Sequence, residues 1–233
     1  MHPPVSARLE AIVSLLLPCR ALADVCSDHG LVALAAVQRG IAGRAICADL
    51  RAAPLEVARR NIARANLADR VTAVQGDGLA PFASGAVDAV VIAGVSGALI
   101  VRLLTAHPEI TGSLTQLIAA PNQDADVVRA WALAAGFHLR AEAMVSERGY
   151  FFTIGAYRQG EGQDPLYEHP EWSAPELCVL GPLLVAQRDT VTLRACEQQR
   201  SRLGKLVARG ITAREAEHAL WSRACAALSR SGG

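Results

Sequence analysis

The stretch Ala21-Leu-Ala-Asp-Val-Cys-Ser-Asp-His-Gly30 decides how the rest of the chain is read. Ala21 to Val25 is an apolar run of strand length and Leu31 to Val37 an apolar run of helix length, so a tight strand-to-helix turn lies between them. A turn of this kind aims free backbone N–H groups above the carboxyl edge of an open α/β sheet, where such folds bind ligands. The turn is acidic, with Asp24 near the strand end and Asp28 inside it. Gly30 is its only glycine, so the G-x-G-x-x-G dinucleotide fingerprint is missing. A pyrophosphate would be repelled there and a cation accepted. S-adenosylmethionine, with sulfonium and ammonium charges, suits the turn better than a nicotinamide dinucleotide. A plainer role stays equally open on this stretch alone, with Asp28 capping the next helix and Asp24 an ordinary strand-end acid.

Downstream, the pattern repeats. Arg44 to Asp49 reads as a second strand ending in an acid, followed by a helix from about Pro54, a residue suited to a first helical position, to Ala65. Asp49 falls where a βαβ unit places a carboxylate against ribose hydroxyls, a contact that identifies a nucleoside but not which one. Arg70 to Gln75 is a third strand broken by Gly76-Asp-Gly78, where Asp77 either reaches an exocyclic adenine amine or sits in a plain turn. Val87 to Ala93 is a fourth, continuously apolar strand, followed by Gly94-Val-Ser-Gly97 and a helix from Ala98 to Leu104. Leu114 to Ala120 is a fifth strand, ending at Pro121-Asn122, and a helix from about Asp124 to Ala135 follows it. Phe137 to Val145 and Tyr150 to Tyr157 form a hairpin through Ser146-Glu-Arg-Gly149. Ahead of everything, Val5 to Leu17 carries apolar residues at helical spacing and stops at Pro18.

Strands alternating with helices and closed by a hairpin predict an α/β, doubly wound, Rossmann-like sheet with an antiparallel edge strand, the class I methyltransferase architecture. The expected division is 1–158 for that domain, 159–181 for a Gly/Pro/acid-rich linker or crossover, and 182–233 for a C-terminal helical hairpin. The hairpin would pair 182–208 with 213–229 across Arg209-Gly210.

With 233 residues, 52% of them hydrophobic, the chain can bury a sizeable core plus an appendage. It has no long uninterrupted apolar stretch and no signal-peptide pattern, which predicts a cytoplasmic protein without a membrane partner. Six scattered cysteines with no C-x-x-C pair predict buried free thiols and no metal. The net charge of +1 is uneven: residues 182–233 hold nine Lys and Arg against four Asp and Glu, which leaves 14 against 18 for residues 1–181.

The residues also resemble a known family, the bacterial tRNA (adenine-22-N1)-methyltransferases or TrmK family. The resemblance is carried by Ser6-Ala-Arg-Leu9, Ala23-Asp-Val-Cys-Ser-Asp-His-Gly30, Gly76-Asp-Gly-Leu79, Val91-Ile-Ala-Gly94 with Gly97-Ala-Leu-Ile100, Ala120-Pro-Asn122 and the final hairpin. These pieces cover about 1–157 in unbroken order, and the C-terminal helices are similar to the family's coiled-coil domain in length and pattern. The resemblance implies S-adenosyl-L-methionine held by Asp24, Cys26, Ser27, Asp49, Leu50, Asp77, Gly78, Ala93 and Gly94. It further implies methylation of tRNA at N1 of an adenine, with Asp28, Asn122 and His29 at the reacting base. Arg8, Arg188, Arg194, Arg202 and Lys205 become the expected tRNA contacts, in a monomer or weak dimer. For His29 the alternative is a side chain that only fixes the turn, and for Arg8 a solvated surface arginine.

The chain departs from the family pattern at several places. Cys26 stands where the first motif carries glycine, Leu31-Val-Ala33 replaces Tyr-Leu-Pro, Val95-Ser96 replaces Met-Gly, Ala120 replaces a glutamine and Thr153 the last strand's glutamate. None removes an acid assigned to the cofactor, and several fall near the expected base. A scaffold that keeps cofactor and RNA affinity without turnover is therefore the competing class. A methyltransferase with a different substrate is another, although a small-molecule substrate has no use for a distant basic surface.

Overall fold

The computed structural model describes residues 6–230. They divide into two compact units, with the boundary between Asp164 and Pro165. In the first, α1 (Ala7–Ser14) is followed by β1 (Cys19–Val25), α2 (Leu31–Gln38), β2 (Ala42–Asp49), α3 (Ala52–Arg64), β3 (Val71–Gln75) and β4 (Ala89–Ala93). Then come α4 (Gly97–Thr105), α5 (Pro108–Thr111), β5 (Gln116–Ala120), α6 (Ala125–Ala134), β6 (Phe137–Glu147) and β7 (Tyr150–Gln159). The strands form one seven-stranded sheet in the order β3-β2-β1-β4-β5-β7-β6. β1 to β5 run parallel and β7 is antiparallel to both its neighbours.

The physical reasons are local. β4 and β5 are covered on both faces, and all their residues except Ala93 are buried, which matches an apolar sequence broken only by Gln116, whose side chain pairs with the Leu17 backbone. The chain reverses from β6 to β7 through Arg148 and Gly149, both at positive φ (49° and 83°), the two-residue turn whose twist matches a hairpin. Ser6 caps α1 by accepting from the Leu9 N–H at 3.3 Å. Val5, where that helix was expected to begin, lies outside the described residues. Inside the core, Arg129 of α6 donates to Glu142 of β6 at 2.7 Å, a buried pair that fixes how that helix docks.

The second unit differs from expectation at its start. The stretch 159–181 is not a bare linker: β7 runs to Gln159, a 3₁₀ turn occupies Pro165–Tyr167, and Ala174–Leu180 is a helix (α7) closed by a Ser173/Glu176 capping box. The segment expected as one helix over 182–208 is two, α8 (Pro182–Gln187) and α9 (Thr190–Val207), broken at Arg188 with φ 51°. Asp189 starts α9 afresh, accepting from the Val191 and Thr192 N–H groups at 2.8 and 2.9 Å. After Gly210, α10 (Glu215–Ser229) packs along α9, with Cys196 and Leu203 buried on one side and Ala224, Cys225 and Leu228 on the other. Arg223 anchors α10 within this unit, donating to Glu176 at 2.6 Å and stacking over Trp172 at 4.5 Å.

Moving the boundary to residue 165 changes the charge reading. Residues 165–233 hold nine Lys and Arg against seven Asp and Glu, so the contrast between units shrinks to +2 against −1. No helix among the described residues is long and apolar enough to cross a membrane.

Candidate active site

The turn after β1 is built around Asp24. Its buried carboxylate accepts from Ser27 Oγ at 2.7 Å and from the Ala33 N–H, in the first turn of α2, at 3.3 Å. Ser27 Oγ in turn accepts from the Gly30 N–H at 3.1 Å. The acid that serves α2 is therefore Asp24, and the capping role left open for Asp28 is not the one it takes. Gly30 sits at φ 68°, a conformation that favours glycine, and a Cβ there would crowd Cys47 Sγ at 3.1 Å. Burial pushes the Asp24 carboxyl up to about 6, against the pull of the Ser27 and Ala33 hydrogen bonds and with nearby Asp28 adding to the rise.

Beside this turn a cleft of about 340 Å³ opens at the carboxyl edge of the sheet. It brings together Cys26, Asp49, Leu50, Asp77 and Gly78, all anticipated from the sequence, with Arg51, Val95, Leu99, Arg102 and Leu103. Asp49 is 5% exposed, and its Oδ1 accepts from the Arg51 N–H at 2.8 Å and from Arg51 Nε at 3.3 Å. Its Oδ2 has no hydrogen-bond partner among the described residues. Asp77 lies 3.6 Å from Arg102. Leu50, 62% exposed, offers an apolar wall at the cleft. Gly78 has φ 58°, and a Cβ there would stand 2.5 Å from Leu103, so the loop after β3 can pass this closely over α4 only as glycine. Cys26 holds a left-handed conformation, φ 60°, and burial with the surrounding acids pushes its thiol up to about 11, which keeps it a neutral lining group.

Arg51, Leu99, Arg102 and Leu103 were not anticipated. The α4 residues share one helical face, and their spacing behind Gly97 was the available signal. Arg51 follows Asp49 so closely that only its backbone conformation could show it turning back.

A second cluster is organised by Arg8, which is partly buried rather than a solvated surface group. Its guanidinium donates to Asn122 Oδ1 at 2.7 Å and to the Ala120 carbonyl, and stacks 4.3 Å over the Phe152 ring. Burial pulls its pKa below the ordinary guanidinium value, opposed by Glu147. Asn122 Nδ2 donates to the Gly94 carbonyl at 2.5 Å. The amide is thus pinned between α1 and the ends of β4 and β5, and Gly94 with neighbouring Ala93 frames it without lining the cleft. Ser96, one of the departures, caps α4 by accepting from the Leu99 N–H at 3.2 Å. Asp28 and His29 stand open to solvent, 3.4 Å apart, with side chains 64% and 50% exposed. The His29 backbone carbonyl, not its ring, ties the turn to α3 by accepting from Asn61 at 3.0 Å.

In the second unit, Arg194, Arg202 and Lys205 are exposed along one side of α9, away from buried Thr192, Cys196 and Leu203. Arg188 is exposed too, but at the break before α9 and off that stripe. Among the described residues no His, Cys, Asp and Glu group is arranged to hold a metal ion.

An open sheet in this strand order, with acids closing its carboxyl edge where a phosphate turn would otherwise be, defines a Rossmann-like methyltransferase scaffold. The chain belongs to the methyltransferase domain family, whose model matches residues 5–154. It is 29% identical over 195 residues, 84% of this chain and 81% of the relative, to the tRNA (adenine(22)-N(1))-methyltransferase of Bacillus subtilis strain 168. Its fold superposes on the crystal structure of the Bacillus subtilis tRNA methyltransferase TrmK with a TM-score of 0.86 at 24% identity, covering 96% of this chain and 100% of that one. Streptococcus pneumoniae Sp1610, solved in complex with S-adenosyl-L-methionine, gives 0.81 at 26% identity over 96% of this chain and 97% of that one.

Proposed function

We propose that this chain transfers a methyl group from S-adenosyl-L-methionine to a tRNA, at N1 of an adenine. The observation that carries the reading is the acidic cleft, whose buried Asp49 keeps one carboxylate oxygen unengaged at the strand end where a nucleoside's ribose is held. Its fit to the cofactor is chemical. Asp49 Oδ2 accepts a ribose hydroxyl, Leu50, Val95 and Leu99 supply apolar contact for a purine, and Asp77 accepts from the adenine's exocyclic amine. The relatives' names support both ligands: one acts on adenine 22 of tRNA and another was solved with S-adenosyl-L-methionine.

S-adenosyl-L-methionine, when bound, supplies a methyl group on a sulfonium, already a good leaving group. The new bond joins that methyl to adenine N1 through its own lone pair, and the bond to sulfur breaks. The chain therefore has to orient and to exclude wrong poses more than to supply a strong base. N1 methylation makes the base cationic. Asp28 and the amide of Asn122 take the exocyclic amine and stabilise that charge, with His29 beside Asp28 as a further contact. The stripe Arg194, Arg202 and Lys205 takes tRNA phosphates, supplying affinity without sequence information. That reading rests on the stripe and not on net charge, because the second unit carries only a small surplus.

The deciding experiment incubates the full chain with bulk tRNA and cofactor labelled in its methyl group, then analyses the nucleosides. Label in 1-methyladenosine is expected, and label elsewhere or nowhere overturns the reading. Asp49→Ala is expected to weaken cofactor binding by about 1.5–3 kcal/mol by calorimetry, the range for hydrogen bonds to charged groups. Replacing Arg194, Arg202 and Lys205 together by Gln should weaken tRNA binding and lower its salt dependence with cofactor affinity unchanged. Substitution is the proper test because cutting at 182 would strip α7, with its buried Leu177, Cys178 and Leu180, of the rest of its unit.

A further inference from the structure

The opposite edge of the sheet holds a second cleft, of about 500 Å³, lined by Ser113, Leu114, Thr115, Arg140, Arg158 and Gln159. Ser113 to Thr115 lead into β5, Arg158 and Gln159 end antiparallel β7, and Arg140 lies early in β6, so all three elements meet at the amino edge. Arg140 is the extra residue of a β-bulge: Leu139 pairs with Tyr157 and Ala141 with Ala156, leaving Arg140 unopposed. Bulges re-aim side chains, and this one puts a second guanidinium in the cleft beside that of Arg158. Both arginines are exposed, and neither guanidinium has a hydrogen-bond or ion-pair partner among the described residues.

The other polar groups complement them. Ser113 Oγ donates to the Ile110 carbonyl at 2.8 Å and accepts from the Gly85 N–H at 3.2 Å, while Thr115 Oγ1 donates to the Asp88 carbonyl at 2.8 Å, so both protons are committed, Ser113 keeps one lone pair and Thr115 keeps two. The Gln159 amide donates to the Gly112 carbonyl, which holds that side chain as a wall. The cleft thus pairs two free cationic forks with neutral acceptors. Forked guanidiniums fit phosphate oxygens, and hydroxyl oxygens fit the O–H groups of a ribose. The volume is that of a small-ligand site and larger than a bare ion requires.

We propose that this amino-edge cleft binds a phosphate-bearing ribonucleotide unit, with the phosphate on Arg140 and Arg158 and sugar hydroxyls on Ser113 and Thr115. A strand of five residues, roughly 17 Å, separates it from the carboxyl edge, so it is a site apart from the methyl-transfer cleft. The unit comes either from an RNA strand or from a free nucleotide, and the two sources give different results in solution.

The test uses the full chain and calorimetry with uridine monophosphate, which lacks the adenine that the other cleft would take, with inorganic phosphate as the bare-ion probe. Tighter binding of the nucleotide than of phosphate, lost at least tenfold in Arg140→Ala/Arg158→Ala, identifies a free nucleotide. No nucleotide binding, but tRNA binding whose log–log salt slope falls by about two in that variant, identifies an RNA backbone. The control is Arg60→Ala/Arg64→Ala on the exposed face of α3, with the same loss of charge and no expected change in either readout. Wild-type behaviour of the cleft variant toward both ligands, an equal loss in the control, or phosphate bound as tightly as the nucleotide would each overturn the proposal. Both cleft arginines are exposed, so an unchanged Tm is expected and loss of fold is read directly.

Discussion

At the carboxyl edge of the sheet, β1, β2 and the loop after β3 finish in Asp24, Asp49 and Asp77, while at the amino edge the same three strands are entered through Arg20, Arg44 and Arg70. Each sign is the one the flanking helix dipoles favour, acids near the starts of α2 and α3 and cations near their ends. The two edges hold their charge differently. Asp24 is buried on Ser27 and the Ala33 N–H, Asp49 is gripped by Arg51, and Asp77 faces Arg102. Arg20 and Arg44 only lean on the Gly85 and Ala86 carbonyls, at 2.9 and 3.1 Å, and stay exposed. The carboxyl edge is therefore pre-organised to meet a ligand, whereas the amino edge is a solvated rim except where the β6 bulge folds it into a cleft.

The sharpest way to break this contrast is through the one carboxyl-edge acid that is not tied down. Among the described residues Asp28 has only adjacent His29 within ion-pair distance, so its carboxylate is available to serve a substrate base. Asp28→Asn is expected to lower kcat by about 10²–10³-fold, the scale for removing one charge-stabilising group, with cofactor Kd within twofold. Equal losses in rate and cofactor binding would move Asp28 into the cofactor's share of the site.

Asp24 tests the buried side of the same edge. Its folded pKa, about 6, lies above the ordinary value of 3.8, so the folded state holds the proton more tightly than the unfolded chain. Its contribution to stability is therefore fully present below about pH 4 and is lost as pH rises through 6, by roughly 3 kcal/mol. Asp24→Asn should flatten that part of the Tm-against-pH curve and raise Tm at pH 7.5. In the wild type, a cationic cofactor favours the ionised form, so its affinity should climb between pH 5 and 7, and in the Asn variant it should not. A variant with an unchanged pH profile on both readouts would show that Asp24 stays ionised throughout.

A smaller effect is expected at Arg8. Its two-pronged grip on Asn122 and the Ala120 carbonyl sets the amide's orientation, so Arg8→Ala should cost about tenfold in kcat with cofactor Kd unchanged. Arg8→Lys keeps the charge but not the fork and is expected to resemble Arg8→Ala. Full rescue by lysine would instead return Arg8 to the role of an RNA-charge contact.

The strand ends were legible in the sequence because a sheet edge converts a position into a place. An acid at the close of each apolar run has to lie above the carboxyl edge, and Cys26, Asp49, Leu50, Asp77 and Gly78 do meet in one cleft. What each carboxylate does there was not legible, since it is Asp24 and not Asp28 that serves α2, through χ angles and a serine that the pattern does not specify. Arg8 was hidden for a different reason: its partners, Asn122 and Phe152, are remote in sequence and converge only when β7 inserts beside β5. In the second unit, composition read 159–181 as linker because Gly, Pro and acids are also what helix caps are made of, as Ser173 with Glu176 demonstrates. The amino-edge cleft had no sequence signal, because β6 carries no regular alternation for a bulge to interrupt: its first three residues are buried, Arg140 is exposed and most of the rest are half-buried.

Cys26 offers the smallest effect and the finest probe of how rigid the carboxyl edge is. It adopts φ 60°, a region that L side chains enter at a cost of roughly 1–2 kcal/mol, at the position where the resembling family has glycine. Its thiol lines the cleft, but neither hydrogen-bond donation nor thiolate chemistry is asked of it, since burial and the acids hold it protonated. Cys26→Gly removes the steric cost and adds chain entropy to the unfolded state, two terms of similar size and opposite sign. The net expected result is a change in stability of less than about 1 kcal/mol, in the stabilising direction, read as a small rise in Tm. Cysteine also narrows the cleft by one sulfur, so the glycine variant should bind the cofactor no more weakly than wild type. A clear loss of affinity at unchanged Tm would show that Sγ touches the ligand, and that this chain has replaced the family's backbone flexibility with a side-chain contact.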